Sequence, residues 1–327
     1  MAKVRIGFIG CGGIAHWHFR NLAAVPDAEV VALCDPSQAS IARAKREHPR
    51  LADLPAFADY REMLDKVEMD AVHIDSLHTQ HADQICDAFE KGLHVICEKP
   101  LATTVADCRR VVAARDAAKK IGAIAYQRHV QADYRFIKEK LDSGVYGRPT
   151  YVAAYLAQGW KKGTAGTWRQ DPALSGGGQI NDSGSHVLDI VLHLTGLVPE
   201  TVCAFMDNRG TPVDIDSTVS IRFRGGAIGN IAIVGDAPGW HEDFTLVCEN
   251  GAFYYRGGKL SVVEGNGNRL EAVHLVGGSD VDRNFVDAIL GRDRVAAPFD
   301  IGVKVIALTE AAWRSAAAGG RPTPVEF

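Results

Sequence analysis

Residues 5–19 read RIGFIGCGGIAHWHF, and the fold of the first part of the chain follows from them. The apolar, β-branched run Val4–Ile9 stops at Gly10, and a helical pattern opens near Ala15. Gly10, Gly12 and Ala15 therefore fall in one strand-to-helix turn, the GxGxxA form of a dinucleotide-binding fingerprint. Gly10 permits the tight turn, Gly12 lets a pyrophosphate approach the backbone, and the small Ala15 lets strand and helix pack closely. The helix start adds unpaired N–H groups and the positive end of its dipole. Asp35 ends the next apolar run, about 20 residues on, where a carboxylate binds the ribose diol. It is followed by PSQAS with no arginine to receive a 2′-phosphate, so NAD is expected as cofactor, with NADP less favoured.

Working outward, compact apolar runs recur at 30–34 (VVALC), 71–74 (AVHI), 94–97 (HVIC) and 123–126 (AIAY). Amphipathic stretches separate them, among them HADQICDAFEKG (81–92) and VADCRRVVAARDAAKKIG (105–122), with Gly122 expected to stop the latter helix. Alternating β and α units with near-continuous apolar strands predict an α/β fold, a doubly wound parallel Rossmann sheet over residues 1–126. The texture then changes. A helix over 133–144 and a strand within 147–158 precede strand-like runs at 217–235, 243–265 and 268–276, separated by Gly and Asn turns as in a meander. Helices near Asp282–Leu290 and Gly302–Ala318 complete residues 127–327, an expected α+β domain on a mostly antiparallel sheet. The length of 327 residues suits two domains.

Composition excludes several classes of function. The chain is 46% hydrophobic and 23% charged with a net charge of -4, which gives nucleic acid no electrostatic footing. No apolar run approaches the ~20 residues that span a bilayer, so no membrane partner is expected. The chain enters a strand within its first few residues, leaving no room for a signal peptide. Its seven cysteines form no CxxC pair, which suits reduced thiols in the cytoplasm. Cys11, inside the glycine loop, is expected either to have its thiol pKa lowered by the helix start or to pack inertly. The twelve histidines show no HExxH or comparable ligand spacing, and no metal is expected.

Two further stretches carry chemistry. HVICEKPLATT (94–104) ends a buried strand with Glu98-Lys99-Pro100. Ligands of open α/β sheets bind at the carboxyl ends of strands, so Lys99 is expected in the cofactor crevice, able to donate to a substrate oxygen. A solvated Glu98–Lys99 surface pair is the competing reading. Pro100 fixes the local backbone and admits a cis bond. GGGQINDSGSHVLDIVLHL (176–194) puts Asp182 and His186 one turn apart on one face of an apolar helix. Polar groups in such a place are costly unless paired. A helix cap and a satisfied core histidine compete with a catalytic pair.

The blocks GFIGCGGIAHWHFRNL (7–22), EKPLATT (98–104) and SGGGQINDSGSHVLDIVLHLTG (175–196), in this order and spacing, resemble the Gfo/Idh/MocA family of NAD(P)-dependent sugar and polyol dehydrogenases. The likeness extends to SLHTQHADQ (76–84) and EAAWRSAAAGGRP (310–322). It implies a Rossmann domain followed by a domain with a large open antiparallel sheet, commonly paired into dimers or tetramers through that sheet's exposed face. It implies cofactor contacts from Gly10, Gly12, Gly13, Ile14, Asp35, Ser76, Leu77, His78, His81, Glu98, Lys99 and Gln127. Substrate contacts would come from Lys99, Arg128, Trp168, Asp182 and His186. In the implied mechanism His186 takes the hydroxyl proton as the carbon gives hydride to NAD+, Asp182 orients the imidazole, and Lys99 polarises the oxygen; lysine is the alternative base.

Ser76-Leu77-His78 departs from the Thr-Pro-Asn frequent in the family, and His78 also reads as an exposed loop histidine. Trp160 and Trp240 read as pocket walls, or as core or interface, His193 as structural, and Asp189 as an orienter of His186 or an exposed acid. An NAD-dependent glycosidase, or a non-catalytic nucleotide-binding regulator, would use the same scaffold.

Overall fold

The computed structural model describes residues 3–272 and 275–327. The chain forms two units. One comprises the chain up to Ala102, Ala106–Gln127 and Ser279–Asp300; the other comprises Thr103–Val105, Arg128–Gly278 and Ile301–Phe327.

The first unit is built on β1 (Val4–Ile9), β2 (Ala28–Cys34), β3 (Ala56–Phe57), β4 (Ala71–Ile74), β5 (His94–Cys97) and β6 (Gly122–Ile124). They lie in the order β3-β2-β1-β4-β5-β6, with every pairing parallel. Helices α1 (Ala15–Ala23), α2 (Gln38–Glu47), α3 (Tyr60–Lys66), α4 (His81–Glu90) and α5 (Val105–Ala118) connect the strands. Strand β4 is buried throughout and β5 from its second residue on, which is why they read as apolar runs rather than alternating ones. Helix α1 turns Ala15, His18, Phe19 and Leu22 inward, the i, i+3, i+4, i+7 stripe of an amphipathic helix. The strand order reverses between β1 and β4, so the loops after these two strands form the crevice where such sheets bind ligands.

Two expectations need correction. Gly122 does not end the α5 helix, which stops at Ala118; it opens β6, where a Cβ would lie 2.9 Å from the Phe299 ring. A single cut after residue 126 also fails to describe the units, because 279–300 folds with the first. Helix α10 (Val281–Ile289) buries Asp282 against histidines of α1 and β4, and the Ile124 N–H donates to Ala297 O at 2.9 Å.

The second unit holds β7 (Pro149–Ala157), β8 (Pro199–Asp207), β9 (Asp216–Phe223), β10 (Ile228–Val234), β11 (His241–Cys248), β12 (Gly251–Arg256), β13 (Lys259–Glu264), β14 (Arg269–Ala272) and β15 (Thr323–Pro324). Their order is β14-β13-β12-β11-β7-β10-β9-β8-β15, antiparallel except for the β7–β10 pair. Burial alternates along β9, as expected for a sheet covered on one face. Arg256 pairs with Lys259 across a two-residue hairpin whose residues, Gly257 and Gly258, both have positive φ (53° and 84°). Of the strand expected over 268–276, Arg269–Ala272 form β14, 275–276 are not strand, and 273–274 lie outside the described residues. Helices α6 (Ala132–Asp142) and α9 (Ser183–Thr195), the short turns α7 (Trp160–Gly163) and α8 (Pro172–Ser175), and α11 (Phe299–Ala317) complete the chain.

Candidate active site

The glycine loop is shaped by two opposite demands. Gly10 has φ +101°, and a Cβ there would lie 2.6 Å from the Asp75 carbonyl, so only glycine lets the β1 and β4 loops touch. Around Gly12 and Gly13 a Cβ would meet nothing within 4 Å. The loop thus keeps space where a pyrophosphate approaches the backbone. The start of α1, at Ile14, has no side-chain cap and no acidic residue in its first turn, so its N–H groups and dipole suit an anion. Asp35, at the end of β2, accepts the Cys11 N–H and the Ser37 N–H, each at 2.8 Å, tying the acid to the loop. These residues fit a dinucleotide. The Cys11 thiol is buried, and burial with the Asp35 charge pushes its pKa up rather than down, so it packs inertly.

The loop after β4 is buried more deeply than its sequence suggests. His78 is 4% exposed and is not a solvent-facing loop histidine. Ser76 donates its hydroxyl to Gln84 Oε1 at 2.5 Å, and Leu77 precedes the short helical turn His78–Gln80. His81 is fully buried; its Nδ1 lies 2.8 Å from Pro100 O and its Nε2 3.3 Å from Ser76 O. Burial lowers the His81 pKa, and the contact to Pro100 O is the shorter of the two. His81 thus ties the β4 loop to the residue after Lys99.

Glu98 and Lys99 do not form a solvated surface pair. Glu98 is 5% exposed; its Oε1 accepts from His18 Nε2 at 3.1 Å and its Oε2 accepts the Lys99 backbone N–H at 3.1 Å. Burial acts to raise the Glu98 carboxyl pKa, but the His18 bond and charge outweigh it and lower it. The Lys99–Pro100 bond is cis. Gln127 opens the helical turn after the last Rossmann strand.

In the second unit the three glycines are a close-packing device. A Cβ on Gly178 would sit 2.0 Å from Asp214 O, and one on Gly177 would sit 2.4 Å from the Trp313 ring. The Asp214 carboxylate accepts N–H groups of Gly178 (3.0 Å) and Ile180 (2.9 Å) and the Trp313 indole N–H (3.0 Å). Burial pushes the Asp214 pKa up, against those bonds. The turn delivers Asp182 to the N-cap position of α9, yet its side chain makes no capping bond. Its Oδ2 instead accepts from Trp160 Nε1 at 2.9 Å and from Arg169 Nε at 3.0 Å. Arg169 lies over the Trp168 ring, 4.4 Å from its centroid. His186 follows one turn later, half-buried.

One neighbour differs from expectation. Asp189 neither orients His186 nor sits exposed: it is fully buried on His129 Nε2, at 2.8 and 2.9 Å. Arg128 is held by Glu242 at 2.6 Å, with Tyr134 donating to the same carboxylate at 3.2 Å. Trp240 is 64% exposed and lies outside the core. The tilted rings of His193 and His129 have centroids 3.6 Å apart, and burial lowers the His193 pKa to about 3. Two groups of potential metal donors also lie together, His16–Glu47–His48 and His18–His73–Asp282, the second wholly buried. Their members come from distant segments, so ligand spacing in the sequence could not reveal them. Sequence reasoning likewise missed Arg169, Asp214 and Trp313, whose roles depend on tertiary neighbours alone.

Residues 4–126 match an oxidoreductase family with an NAD-binding Rossmann fold, and residues 134–254 match the Gfo/Idh/MocA C-terminal domain. The inositol 2-dehydrogenase of Acidothermus cellulolyticus is 30% identical over 258 residues, 76% of this chain and 72% of that protein. Inositol 2-dehydrogenase 3 of Saccharopolyspora erythraea is 38% identical over 148 residues, 45% of this chain. The chain spans 43% of that relative's length and 55% of the Ralstonia nicotianae inositol 2-dehydrogenase, about half of each. Among solved structures, an oxidoreductase domain protein from Kribbella flavida has the same fold with a TM-score of 0.90 at 20% identity, each chain covered in full. A levoglucosan dehydrogenase in complex with NADH and levoglucosan follows at 0.88 and 22%, covering 99% of this chain and 100% of that one. Among the described residues no helix is long and apolar enough to cross a membrane. With both of its domains matched, the chain belongs to the Gfo/Idh/MocA family of oxidoreductases, with an NAD-binding Rossmann fold at its N-terminal end.

Proposed function

We propose that the protein is an NAD-dependent dehydrogenase that oxidises a secondary or anomeric hydroxyl of a sugar or cyclic polyol. The observation that carries this reading is the setting of Lys99. It stands at the carboxyl end of β5 in an NAD-binding fold, its N–H held by Glu98 and its neighbour Pro100 held by His81. A lysine anchored on both sides is placed for chemistry rather than for solvation. Relatives named inositol 2-dehydrogenase and levoglucosan dehydrogenase support the substrate class.

NAD supplies the acceptor for the hydride when bound. Lys99 donates to the reacting oxygen and offsets the negative charge that develops there. His186 takes the hydroxyl proton, for which an imidazole suits neutral pH. Asp182, its Oδ2 already engaged by Trp160 and Arg169, holds a fixed carboxylate one helical turn away to offset the imidazolium. The alcohol loses a hydride and a proton and becomes a ketone or lactone. Trp168 and Arg128 are assigned to the substrate pocket, and Gly10, Gly12, Gly13, Ile14, Asp35, Ser76, Leu77, His78, His81 and Gln127 to the cofactor. Tyr151, Ile228 and Phe205, exposed on neighbouring parts of the large sheet, suit a homodimer or homotetramer contact.

The test is a spectrophotometric screen of inositols, aldoses and anhydrosugars with NAD+ and NADP+ in parallel. NADH formation is expected with a cyclic polyol or sugar, and Lys99→Ala is expected to slow it about 100- to 1,000-fold while NADH still binds. Failure of every substrate to reduce either nucleotide, in a protein that binds NADH, overturns the reading.

A further inference from the structure

Glu98 is the visible end of a longer buried arrangement. His18 in α1 is fully buried, with Nε2 on Glu98 at 3.1 Å and Nδ1 on the Asp282 carboxylate at 2.9 and 3.0 Å. Asp282 in α10 also accepts from Asn21 Nδ2 at 2.9 Å, and its Oδ1 lies 3.1 Å from His73 Nε2 in β4. Both ring nitrogens of His18 face carboxylates, which only accept, so the ring is an imidazolium. Glu98, His18 and Asp282 thus form a strut of alternating charge through the interior of one unit, from α10 to the backbone of Lys99. Such buried charges are a poor way to gain stability, since apolar replacements are often neutral or better. Their value lies in geometry, because each fixes the orientation of the next.

We propose that His18, Asp282 and Asn21 are positioning residues that aim Lys99 through the Glu98 carboxylate; this rests on the role given to Lys99 above. Without His18, the Glu98 carboxylate loses the donor on its Oε1 and is free to turn from the Lys99 N–H. The tie of His81 to Pro100 O, 2.8 Å, stays in place on the other side of Lys99.

His18→Gln removes the charge and the second N–H, and three readings decide. In the cofactor-free protein, amide exchange at Lys99, followed by NMR, is expected to quicken at least tenfold while amides of β1 and β4 keep their protection. Turnover is expected to fall about tenfold, with KM for NAD+ and Kd for NADH unchanged within twofold. In a Lys99→Ala background, His18→Gln is expected to add no further loss to the single-turnover rate. Multiplying losses in that background overturn the proposal, as does an unchanged Lys99 amide. If Lys99→Ala alone turns over at the wild-type rate, it is the role of Lys99 that fails, and the exchange measurement still decides whether His18 fixes this backbone. Should His18→Gln not fold, Asn21→Ala removes a single bond to Asp282. It is expected to speed Lys99 exchange two- to fivefold, and no acceleration there overturns the proposal.

Discussion

Trp160 donates its indole N–H to the Asp182 carboxylate across 2.9 Å, and the same oxygen receives Arg169 Nε at 3.0 Å. The carboxylate is 4% exposed, so these two donors stand in for the water it has lost. This explains how a helix can begin with an acid that does not cap it. The carboxylate is engaged by Trp160 and Arg169, and the first turn of α9 draws its support from elsewhere, as when the Gly184 N–H donates to Gln179 O at 2.8 Å.

Arg169→Ala should therefore act on both stability and turnover. Leaving a buried charged acceptor short of one donor costs about 1–3 kcal/mol. The melting temperature is expected to fall by several degrees, and kcat/KM about tenfold because Asp182 is no longer held. Arg169→Lys restores charge without the planar Nε donor and should recover stability more than turnover. A wild-type kcat/KM in Arg169→Ala would show that the pair plays no part in the reaction.

The same substitution at two glycines should give opposite results. A methyl at Gly12 meets nothing within 4 Å, whereas at Gly178 it collides with Asp214 O at 2.0 Å. Gly12→Ala is expected to melt within about 0.5 kcal/mol of wild type, yet to bind NADH at least tenfold more weakly. Gly178→Ala forces backbone apart and should cost about 2–3 kcal/mol, the range of overpacking. Thermal melts and NADH fluorescence titrations of both proteins check this. Equal stability losses would mean that the space above Gly12 is not kept for a ligand.

These cases also mark what the chain's order of residues discloses. The Rossmann unit was legible because its signals are local: an apolar strand, a glycine turn, a helix start and an acid at the end of the next strand. Lys99, Asp182 and His186 were legible as blocks. Their supports were not, because Asp282 lies 264 residues from His18 and Asp214 lies 36 residues from Gly178. No periodicity joins positions so far apart. The return of residues 279–300 to the first unit escaped notice for the same reason: an amphipathic helix does not say which sheet it covers. Asp189 was misread because spacing favoured His186, three residues away, while the fold supplied His129.

Arg128 offers a direct contest between a substrate role and a structural one. It is nearly buried, paired with Glu242 at 2.6 Å, and burial, which acts to lower its pKa, is outweighed by the Glu242 charge. Arg128→Met strands a mostly buried carboxylate and is expected to cost about 3–5 kcal/mol. Adding Glu242→Gln should recover most of that loss. If the double variant regains stability but not KM for the sugar, Arg128 touches substrate. If it regains both, the arginine serves the fold alone.

The Glu98–His18–Asp282–His73 cluster fixes how stability should vary with pH. Burial acts to deprotonate His18 and His73, but the Asp282 and Asp75 charges, the latter 2.9 Å from His73 Nδ1, override it and raise both pKa values above the ordinary 6.5. Burial acts to protonate Asp282 and Glu98, but the histidines override it and lower both below their ordinary 3.8 and 4.5. The raised histidines give stability that is complete below pH 6.5 and is lost as pH climbs through their folded values. The lowered carboxylates give stability that is complete above pH 4.5 and is lost as pH falls through theirs. All four contributions coincide between pH 4.5 and 6.5, where the wild-type melting temperature should peak. Above that window each histidine that must take up a proton on folding removes about 1.4 kcal/mol per pH unit. Asp282→Asn should lose most stability inside the window, and its curve should approach the wild type toward pH 9, because the penalty it escapes grows there. Melting curves of the two proteins from pH 4 to 9 decide it, and parallel, flat profiles would mean that the histidines are not held charged.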